Sequence, residues 1–523
     1  MSKKPVKSTL TVGGATFVSR IFGYIRDAIV FIIFGANAGT DAFFVAFRIP
    51  NFLRRLFAEG AFSQAFVPVM TSHLHNSEDD FKRLIGHVTG LLSVILLIIT
   101  ALGILSAPWL IHVFAPGFDD PTQEILAGDM LKITFPYIFF ISLTALSGSI
   151  LNIRGKFAVP ALTPVLLNLS LIAAAVWLSP KMQQPVTALA WGVFIAGVTQ
   201  LAFQIPFLLR VHSLPLPKLS GANQGVKRIL NLMLPAIFGS SIVQINLLIN
   251  TMIASFLVVG SISWLYISDR FVELPLALFG IATATVILPM LSKHYVTGQL
   301  TEFDQTLQWA LKISLLISIP AMFGLIVLAG PILFTLIQYR EFTLFDTQMA
   351  TMSLMTYALG LPAFIFIKVL APGFYSRQDT KTPVKIGLLV MIINIVLNLA
   401  FIGLWSKLNI PGAHAGLALA TSISAYINAS LLFILLRKSE MLRASPERLT
   451  LSIKILFSAA VMVICLWLLN PQPGIWAGWN GLTRFAVLTG LVMTGIAVYL
   501  LLLVLLGLRP NQFRMQTTPS QGQ

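Results

Sequence analysis

The sequence has few charged residues and a single cysteine. Charged side chains make up 10% of the 523 residues, whereas hydrophobic side chains make up 56%. A soluble domain of this length carries much more charge. Cys465 stands within an apolar run, so the chain has no disulfide framework, and we interpret this residue as a small buried hydrophobe. These features exclude an ordinary soluble protein and a disulfide-rich secreted domain.

The sequence also lacks the motifs of common catalytic and nucleotide-binding sites. It contains no G-x-x-x-x-G-K-[ST] phosphate loop, since its Gly155–Lys156 pair is followed by Phe157 and lacks the upstream glycine. No H-E-x-x-H, C-x-x-C or G-x-S-x-G string is present. The sequence therefore predicts no enzyme. Energy for any vectorial movement would have to come from an ion gradient or from the membrane potential.

Long apolar runs recur along the whole chain and predict an all-α polytopic membrane protein. We predict fourteen transmembrane helices, at residues 10–34, 40–71, 84–111, 129–153, 158–179, 186–210, 228–258, 262–291, 306–336, 350–376, 383–404, 413–437, 450–470 and 483–508.

Basic residues are distributed unevenly over the loops between these spans. The N-terminus and the loops after even-numbered spans carry many, among them Lys82, Arg83, Arg154, Lys156, Lys218, Lys227, Arg377, Lys381, Arg437, Lys438 and Arg443. The loops after odd-numbered spans carry only Lys181, Arg340 and Lys407. By the positive-inside rule both termini are expected in the cytoplasm. This rule also accounts for the net charge of +16, so we expect no nucleic-acid partner.

Equivalent residues recur at a nearly constant spacing. Three pairs are 221 positions apart: Gly39 and Gly260, Pro68 and Pro289, His73 and His294. Arg154 and Arg377 are 223 apart, and each precedes a proline by six positions. The spacing predicts two parallel six-span repeats, which bind substrate at their interface. We expect a first lobe at 1–215, a second lobe at 216–440, and a segment at 441–523 with two further spans and a disordered C-terminus.

Charged residues lie inside three of the predicted spans. These residues are Arg20, Arg26 and Asp27; Asp41, Arg48, Arg54, Arg55 and Glu59; and Asp269, Arg270 and Glu273. An arginine at mid-bilayer costs about 2.5–3.5 kcal/mol, so these side chains are expected to line a wet cavity or to meet an anion. The carboxylates are too few to neutralise every arginine, and arginine is suited to bidentate phosphate binding. The competing interpretation is a set of ion pairs that hold helices together.

Four strings of the sequence carry a family resemblance: SRIFGYIRD (19–27), TDAFFVAFRIPNFLRRLFAEGAFSQAFVP (40–68), SWLYISDRFVELP (263–275) and LAPGFYSRQDTKTPVK (370–385). With them the chain closely resembles the MurJ (MviN) lipid II flippases of the multidrug/oligosaccharidyl-lipid/polysaccharide exporter superfamily. The resemblance extends over nearly the whole chain.

This resemblance implies two six-helix lobes in a V shape around a central cationic cavity, plus two C-terminal helices. It implies alternating access that flips lipid II, an undecaprenyl pyrophosphate carrying a disaccharide-pentapeptide, from the inner to the outer leaflet of the bacterial cytoplasmic membrane. We expect a monomer without a cofactor. The implied substrate-binding residues are Arg20, Arg26, Arg270, Asp41, Arg54, Arg55 and Glu273.

Three further hypotheses concern gating, coupling and the lipid tail. Glu59 is expected to pair with Arg377 of the other lobe and so to close an inner gate. Asn394 and Asn398, four apart on one helix face, are a candidate site for a coupling ion, Na⁺ or H⁺, although inter-helix hydrogen bonding is the competing interpretation. The last two spans are expected to form a groove for the prenyl tail, or only to pack on the second lobe. No other metal site is expected.

The alternatives left open are a cation-coupled multidrug exporter of the same fold, a non-transporting scaffold of the cell-wall machinery, and an anion channel. A ring of arginines would repel the cationic substrates of most drug exporters, and a scaffold does not need arginines in a cavity.

Overall fold

The computed structural model describes residues 3–55, 61–218, 224–408, 411–443 and 447–508. Within these ranges the regular structure is helical and there is no strand. Glu59 and the C-terminal segment predicted to be disordered lie outside the described residues.

By its contacts the chain divides into two compact units. The first comprises residues 1–263 and 340–342, and the second comprises residues 264–339 and 343–523. Residues 216–263 therefore group with the first unit, and residues 441–523 group with the second. The predicted lobes at 1–215 and 216–440 and the segment at 441–523 stay a prediction.

The helices of the first unit are α1 (Lys3–Phe34), α2 (Ala38–Arg54), α3 (Ala61–Asn76), α4 (Glu78–Leu105), α5 (Ala107–Phe114), α6 (Pro121–Thr134), α7 (Tyr137–Ile153), α8 (Ala158–Ala173), α9 (Thr187–Arg210) and α10 (Gln224–Ala254). A π-helical segment, Ala174–Leu178, extends α8. One apolar core of this unit lies between α3, α4, α7 and α9.

Helix α11 (Ser261–Pro275) begins in the first unit and continues into the second. The other helices of the second unit are α12 (Ala282–Val296), α13 (Leu300–Leu336), α14 (Leu344–Leu359), α15 (Leu361–Tyr375), α16 (Lys381–Lys407), α17 (Ala413–Lys438), α18 (Glu447–Leu469), α19 (Pro473–Gly478) and α20 (Gly481–Leu505). One core joins α12, α13, α15, α16 and α17, and another joins α13, α18 and α20.

Eleven helical segments of the described residues are long and apolar enough to cross a membrane, and they match eleven of the predicted spans. The described residues of the other three predicted spans are mainly helical as well. Helix α1 covers 10–34, α2 and α3 cover 40–54 and 61–71, and α10 covers 228–254. The prediction of an all-helical membrane protein is confirmed, and the count of fourteen spans stays a prediction.

The turns after α7 and α15 have the same backbone conformation. Gly155 and Gln378, which are 223 positions apart, both have a positive φ, +74° and +61°. Each turn is closed by the same backbone hydrogen bond: Lys156 N to Leu151 O at 2.8 Å, and Asp379 N to Phe374 O at 3.1 Å. This is the Schellman arrangement that ends many helices. Its recurrence at the repeat spacing supports a duplicated chain.

Candidate functional site

Helix α1 carries the first two predicted arginines in different surroundings. Arg20 is half-buried and makes no hydrogen bond or ion pair with a described residue. Arg26 is buried and donates from Nε to Oδ1 of the equally buried Asp27 at 2.9 Å. Asn168 of α8 donates to the Ser19 carbonyl at 3.0 Å, next to Arg20. The contact with α8 therefore fixes the segment that carries Arg20.

Asp41 of α2 accepts hydrogen bonds at the start of α11. Its carboxylate is 3% exposed and accepts from Gly260 N at 2.7 Å and from the backbone N and Oγ of Ser263 at 2.9 and 2.6 Å. A carboxylate at a helix N-terminus satisfies unpaired N–H groups and interacts favourably with the helix dipole. Asn37 and Thr40 form a capping box at the start of α2, which sets the position of Asp41.

The arginines of α2 contact polar groups of the first unit. Arg48 hydrogen-bonds the hydroxyl of Thr251 on α10. Arg54 donates from Nε and Nη2 to Oδ1 of Asn51 at 2.9 and 2.8 Å. Arg55 reaches Gln244 of α10 at 3.4 Å. The acceptors in these contacts of Arg54 and Arg55 are the neutral amide oxygens of Asn51 and Gln244.

The second unit holds Arg270 and Glu273 one turn apart on α11. Arg270 Nη1 donates to Glu273 Oε2 at 2.8 Å, and its Cζ lies 5.8 Å from the ring centroid of Tyr266, within cation–π range. Both members of the pair are partly exposed, at 30% and 42% of their side-chain areas. Lys368 of α15 interacts electrostatically with Glu273. The two cations and one carboxylate of this group carry a net positive charge.

Lys368 is a site residue that the sequence interpretation missed. It is the only charged residue in the fifteen residues of α15, LPAFIFIKVLAPGFY. A lone lysine inside a membrane span is costly, and this signal was present in the sequence.

Arg377 lies in the turn after α15, beside Phe374 and Asp379. Its Cζ is 5.2 Å from the Phe374 ring centroid, and its buried Nε has no hydrogen-bond partner among the described residues. Partial burial raises the pKa of the Asp379 carboxyl, but hydrogen bonds from Thr382 and the charge of Arg377 outweigh this effect and leave the pKa below its usual value. Because Glu59 lies outside the described residues, its pairing with Arg377 stays a prediction.

Asn394 and Asn398 are buried between α16 and α17. Asn394 donates to Ser424 Oγ of α17 at 3.3 Å, and Asn398 donates to Asn394 Oδ1 at 3.2 Å. This geometry favours inter-helix hydrogen bonding, the competing interpretation for the pair. Within the described ranges, no three His, Cys, Asp or Glu side chains are grouped as a metal site would require.

The basic residues of the last two spans bind helix C-termini. Arg484 of α20 is 5% exposed and donates to four backbone carbonyls, those of Phe334, Gln338, Trp476 and Ala477, at 2.8–2.9 Å. Lys454 of α18 donates to the Leu506 carbonyl at 2.7 Å, at the end of α20. Both cations therefore satisfy carbonyls that a helix end leaves unpaired.

Comparison with known proteins gives consistent results at the levels of family, sequence and structure. The family model described as lipid II flippase MurJ matches residues 31–478. A probable lipid II flippase MurJ of Vibrio cholerae is 46% identical, with 99% of each chain covered. The lipid II flippase MurJ of Burkholderia cenocepacia is 40% identical over 97% of this chain and 98% of its own.

Two solved structures are also similar. One, titled "Lipid II flippase MurJ, inward closed conformation", has a TM-score of 0.81 at 30% identity and covers 97% of this chain and 100% of its own. An inward-facing multidrug resistance MATE family transporter of the MOP superfamily has a TM-score of 0.64 at 16% identity, over 80% of this chain and 94% of its own. The latter likeness concerns the fold alone.

Proposed function

Because the chain belongs to the lipid II flippase MurJ family, we propose that it moves lipid II from the inner to the outer leaflet of the bacterial cytoplasmic membrane. The observation that carries this proposal is the match along 99% of both chains to a relative named as a probable lipid II flippase. Flipping makes and breaks no covalent bond, so the protein acts as a transporter and needs neither catalytic residues nor a cofactor.

The lipid II pyrophosphate is bound by arginines inside the spans. Arg20 carries the largest share, since it is half-buried inside its span and makes no hydrogen bond or ion pair with a described residue. Arg270 and Lys368 add positive charge, and Glu273 holds Arg270 in position through the 2.8 Å pair. The remaining residues of the proposed site are Arg26, Asp41, Arg54 and Arg55.

The protein works by alternating access, with twelve spans in two six-helix repeats, two further C-terminal spans, and both termini in the cytoplasm. Support comes from the repeated turn at Gly155 and Gln378 and from the basic loops after even-numbered spans. Glu59 and Arg377 close the inner gate when the site faces outward. A monomer suffices for this cycle.

Helices α18 and α20 supply the groove for the prenyl tail. Their outward surfaces are apolar and exposed, with Trp467 at 70% and Leu501 at 61%, and their two basic side chains, Lys454 and Arg484, already cap helix ends. The polar head group is therefore left to the arginines, while the tail stays in an apolar environment.

Movement of an anion toward the outside is driven by the inside-negative potential, worth about 2.3 kcal/mol per charge per 100 mV. Na⁺ or H⁺ would be the coupling ion where the potential alone does not suffice. Dissipating the potential and the sodium gradient separately, in cells that depend on this protein, distinguishes the two sources of energy. If neither treatment slows flipping, this part of the proposal fails.

The proposed function is tested by depleting the protein and measuring the share of lipid II that an externally added lipid II-cleaving enzyme can reach. We expect lipid II to accumulate in the inner leaflet, out of reach. Arg20→Ala should fail to restore export, lowering it at least about tenfold, with Arg210→Ala as the control because Arg210 is exposed at the end of α9. Normal export after depletion would favour a scaffold, and export of cationic drugs instead of lipid II would favour a multidrug exporter.

A further inference from the structure

The loop between α5 and α6 is in close contact with the end of α10. Gly117 of the loop donates its N–H to Ser255 Oγ at 3.1 Å, and Ser255 is buried. A Cβ atom at Gly117 would lie 2.5 Å from the backbone N of Phe256. Since real Cβ atoms do not approach backbone atoms so closely, this contact requires a glycine. We name it the first clasp.

The loop between α13 and α14 makes a second close contact, with the end of α1. A Cβ atom at Gly35 would lie 2.6 Å from the carbonyl oxygen of Glu341, and Glu341 N donates to the Ile32 carbonyl at 3.3 Å. The neighbouring Phe342 ring packs edge-on against Phe31 at a centroid distance of 5.6 Å. We name this contact the second clasp. All of its residues belong to the first compact unit.

The two clasps are related by the internal repeat. Gly35 and Phe256 are 221 positions apart, and Gly117 and Arg340, which precedes Glu341, are 223 apart. These are the two spacings found between the repeats. In the first clasp, the loop between the third and fourth spans of the first repeat contacts the end of the first span of the second repeat. In the second clasp the two repeats exchange these roles. The duplication thus produces a reciprocal pair of contacts.

We propose that the two clasps form a symmetric outer latch, which holds the protein closed on its outer side and releases when the site opens outward. This inference rests on the proposed function, because it assigns the contacts to one state of alternating access. Each clasp has one long-range hydrogen bond to a loop and a backbone contact at a glycine. The second clasp adds the packing of Phe342 on Phe31. Two such contacts that depend on the same movement would release together.

The test uses a reporter cysteine at Ser261, in a chain whose own Cys465 is replaced by alanine. Ser261 is 1% exposed, follows α10 closely, and its Oγ has no hydrogen-bond partner among the described residues, so Ser261→Cys is a mild change. A membrane-impermeant maleimide is added from the outside, to the full-length protein in cells. The labelling rate then measures how often the outer side opens.

Three substitutions weaken the clasps in different ways. Gly117→Ala and Gly35→Ala add the forbidden Cβ atoms, and Ser255→Ala removes a hydrogen-bond acceptor without adding volume. A typical hydrogen bond corresponds to about a fivefold change in an equilibrium, so Ser255→Ala should raise labelling about fivefold. The two glycine variants should raise it further.

Two matched controls separate the clasp from the general effect of replacing a glycine. Gly155, with φ +74°, is close in conformation to Gly35, with φ +69°, but a Cβ atom there has no neighbour within 4 Å, and Gly474→Ala likewise meets nothing. Neither control should change labelling. If all three clasp variants label at the control rate, the latch does not exist. Should a glycine variant fail to accumulate, Ser255→Ala decides the question.

Lipid II export by the unsubstituted protein is measured in the same cells. If the unsubstituted protein exports lipid II but the clasp variants label at the control rate, the latch is overturned and the proposed function stays intact. Increased labelling in a protein that exports no lipid II would overturn the proposed function and leave the clasps as a conformational latch for another cargo.

Discussion

Arg26 donates from Nε and Nη2 to the same oxygen, Oδ1, of Asp27, the next residue in the chain. Both side chains are buried, at 6% and 3% exposure, so the pair is held away from water inside the first unit. Arg20, nearly two turns earlier on the same helix, is more exposed and has no comparable partner among the described residues. The two arginines should therefore respond differently to substitution.

Arg26→Ala should lower the amount of folded protein, because it removes the guanidinium that donates two hydrogen bonds to the buried Asp27 carboxylate. Removing one member of a buried ion pair costs about 3–5 kcal/mol. Arg20→Ala should leave protein levels normal and abolish support of growth. Immunoblotting of membranes, together with complementation of a depleted strain, measures both quantities.

A double substitution, Arg26→Met with Asp27→Leu, is the control for the first prediction. It removes both charges, so protein levels should recover, because apolar replacement of a buried ion pair is often neutral or stabilising. If growth recovers as well, Arg26 has only a structural role. If Arg20→Ala also depletes the protein, Arg20 stabilises the fold and the assignment of substrate binding to it is wrong.

Arg484→Ala should destabilise the second unit strongly. The substitution leaves four backbone carbonyls, two of them in buried hydrogen bonds, without their donor. Hydrogen bonds to a charged group contribute about 1.5–3 kcal/mol each. We expect a loss of at least about 3 kcal/mol, seen as a lower midpoint of thermal unfolding in detergent. Lys454→Ala, which removes a single bond to Leu506, is the comparison and should shift the midpoint much less. Equal shifts would contradict the assignment of Arg484 as the main cap of α13 and α19.

The equivalent turns at Gly155 and Gln378 allow a reciprocal test of the duplicated backbone. A residue other than glycine at positive φ costs about 1–2 kcal/mol. Gly155→Gln should therefore lower stability by about 1 kcal/mol, since a Cβ atom there meets nothing and only the backbone conformation is at stake. Gln378→Gly should raise it by a similar amount. Thermal unfolding of both variants shows whether each substitution raises or lowers stability. If both change stability in the same direction, the two turns are not equivalent.

The prediction for Asp379 concerns pH. Its pKa in the folded protein lies below the usual value, so the unfolded chain binds the proton more tightly, and the carboxylate stabilises the fold above the unfolded pKa of about 3.9. This contribution is lost as pH falls through the lower, folded pKa. Asp379→Asn should therefore be less stable than the unsubstituted protein at pH 7, and the difference should disappear in acid. Thermal unfolding measured at several pH values tests this, and a difference that persists in acid would contradict it.

Much of the fold followed from the sequence because membrane spans have a strong signal. Apolar runs placed eleven helices correctly, and the spacing of Arg154 and Arg377 anticipated the equivalent turns.

The site was harder to predict than the fold. Residue type and spacing identified Arg20, Arg270 and Glu273 as polar groups inside spans, and the spacing of three anticipated the Arg270–Glu273 pair. The partners of Asp41 could not be foreseen, because they are two backbone N–H groups and the Ser263 hydroxyl, all more than two hundred residues away. Backbone N–H groups have no signature in the sequence.

Asp41→Asn separates two roles for this carboxylate, contact with substrate and attachment of the 260–263 turn. Its two oxygens accept three hydrogen bonds from Gly260 and Ser263. An asparagine keeps one acceptor and turns an NH₂ group toward an N–H donor, so at least one bond, worth about 1.5–3 kcal/mol, is lost. We expect the impermeant maleimide to label Cys at position 261 about tenfold faster, while binding of lipid II to the purified protein weakens much less than it does in Arg20→Ala. Arg20→Ala should give the opposite pattern, with weakened binding and unchanged labelling. If Asp41→Asn weakens binding as strongly as Arg20→Ala and leaves labelling unchanged, Asp41 acts on the substrate and not on the turn.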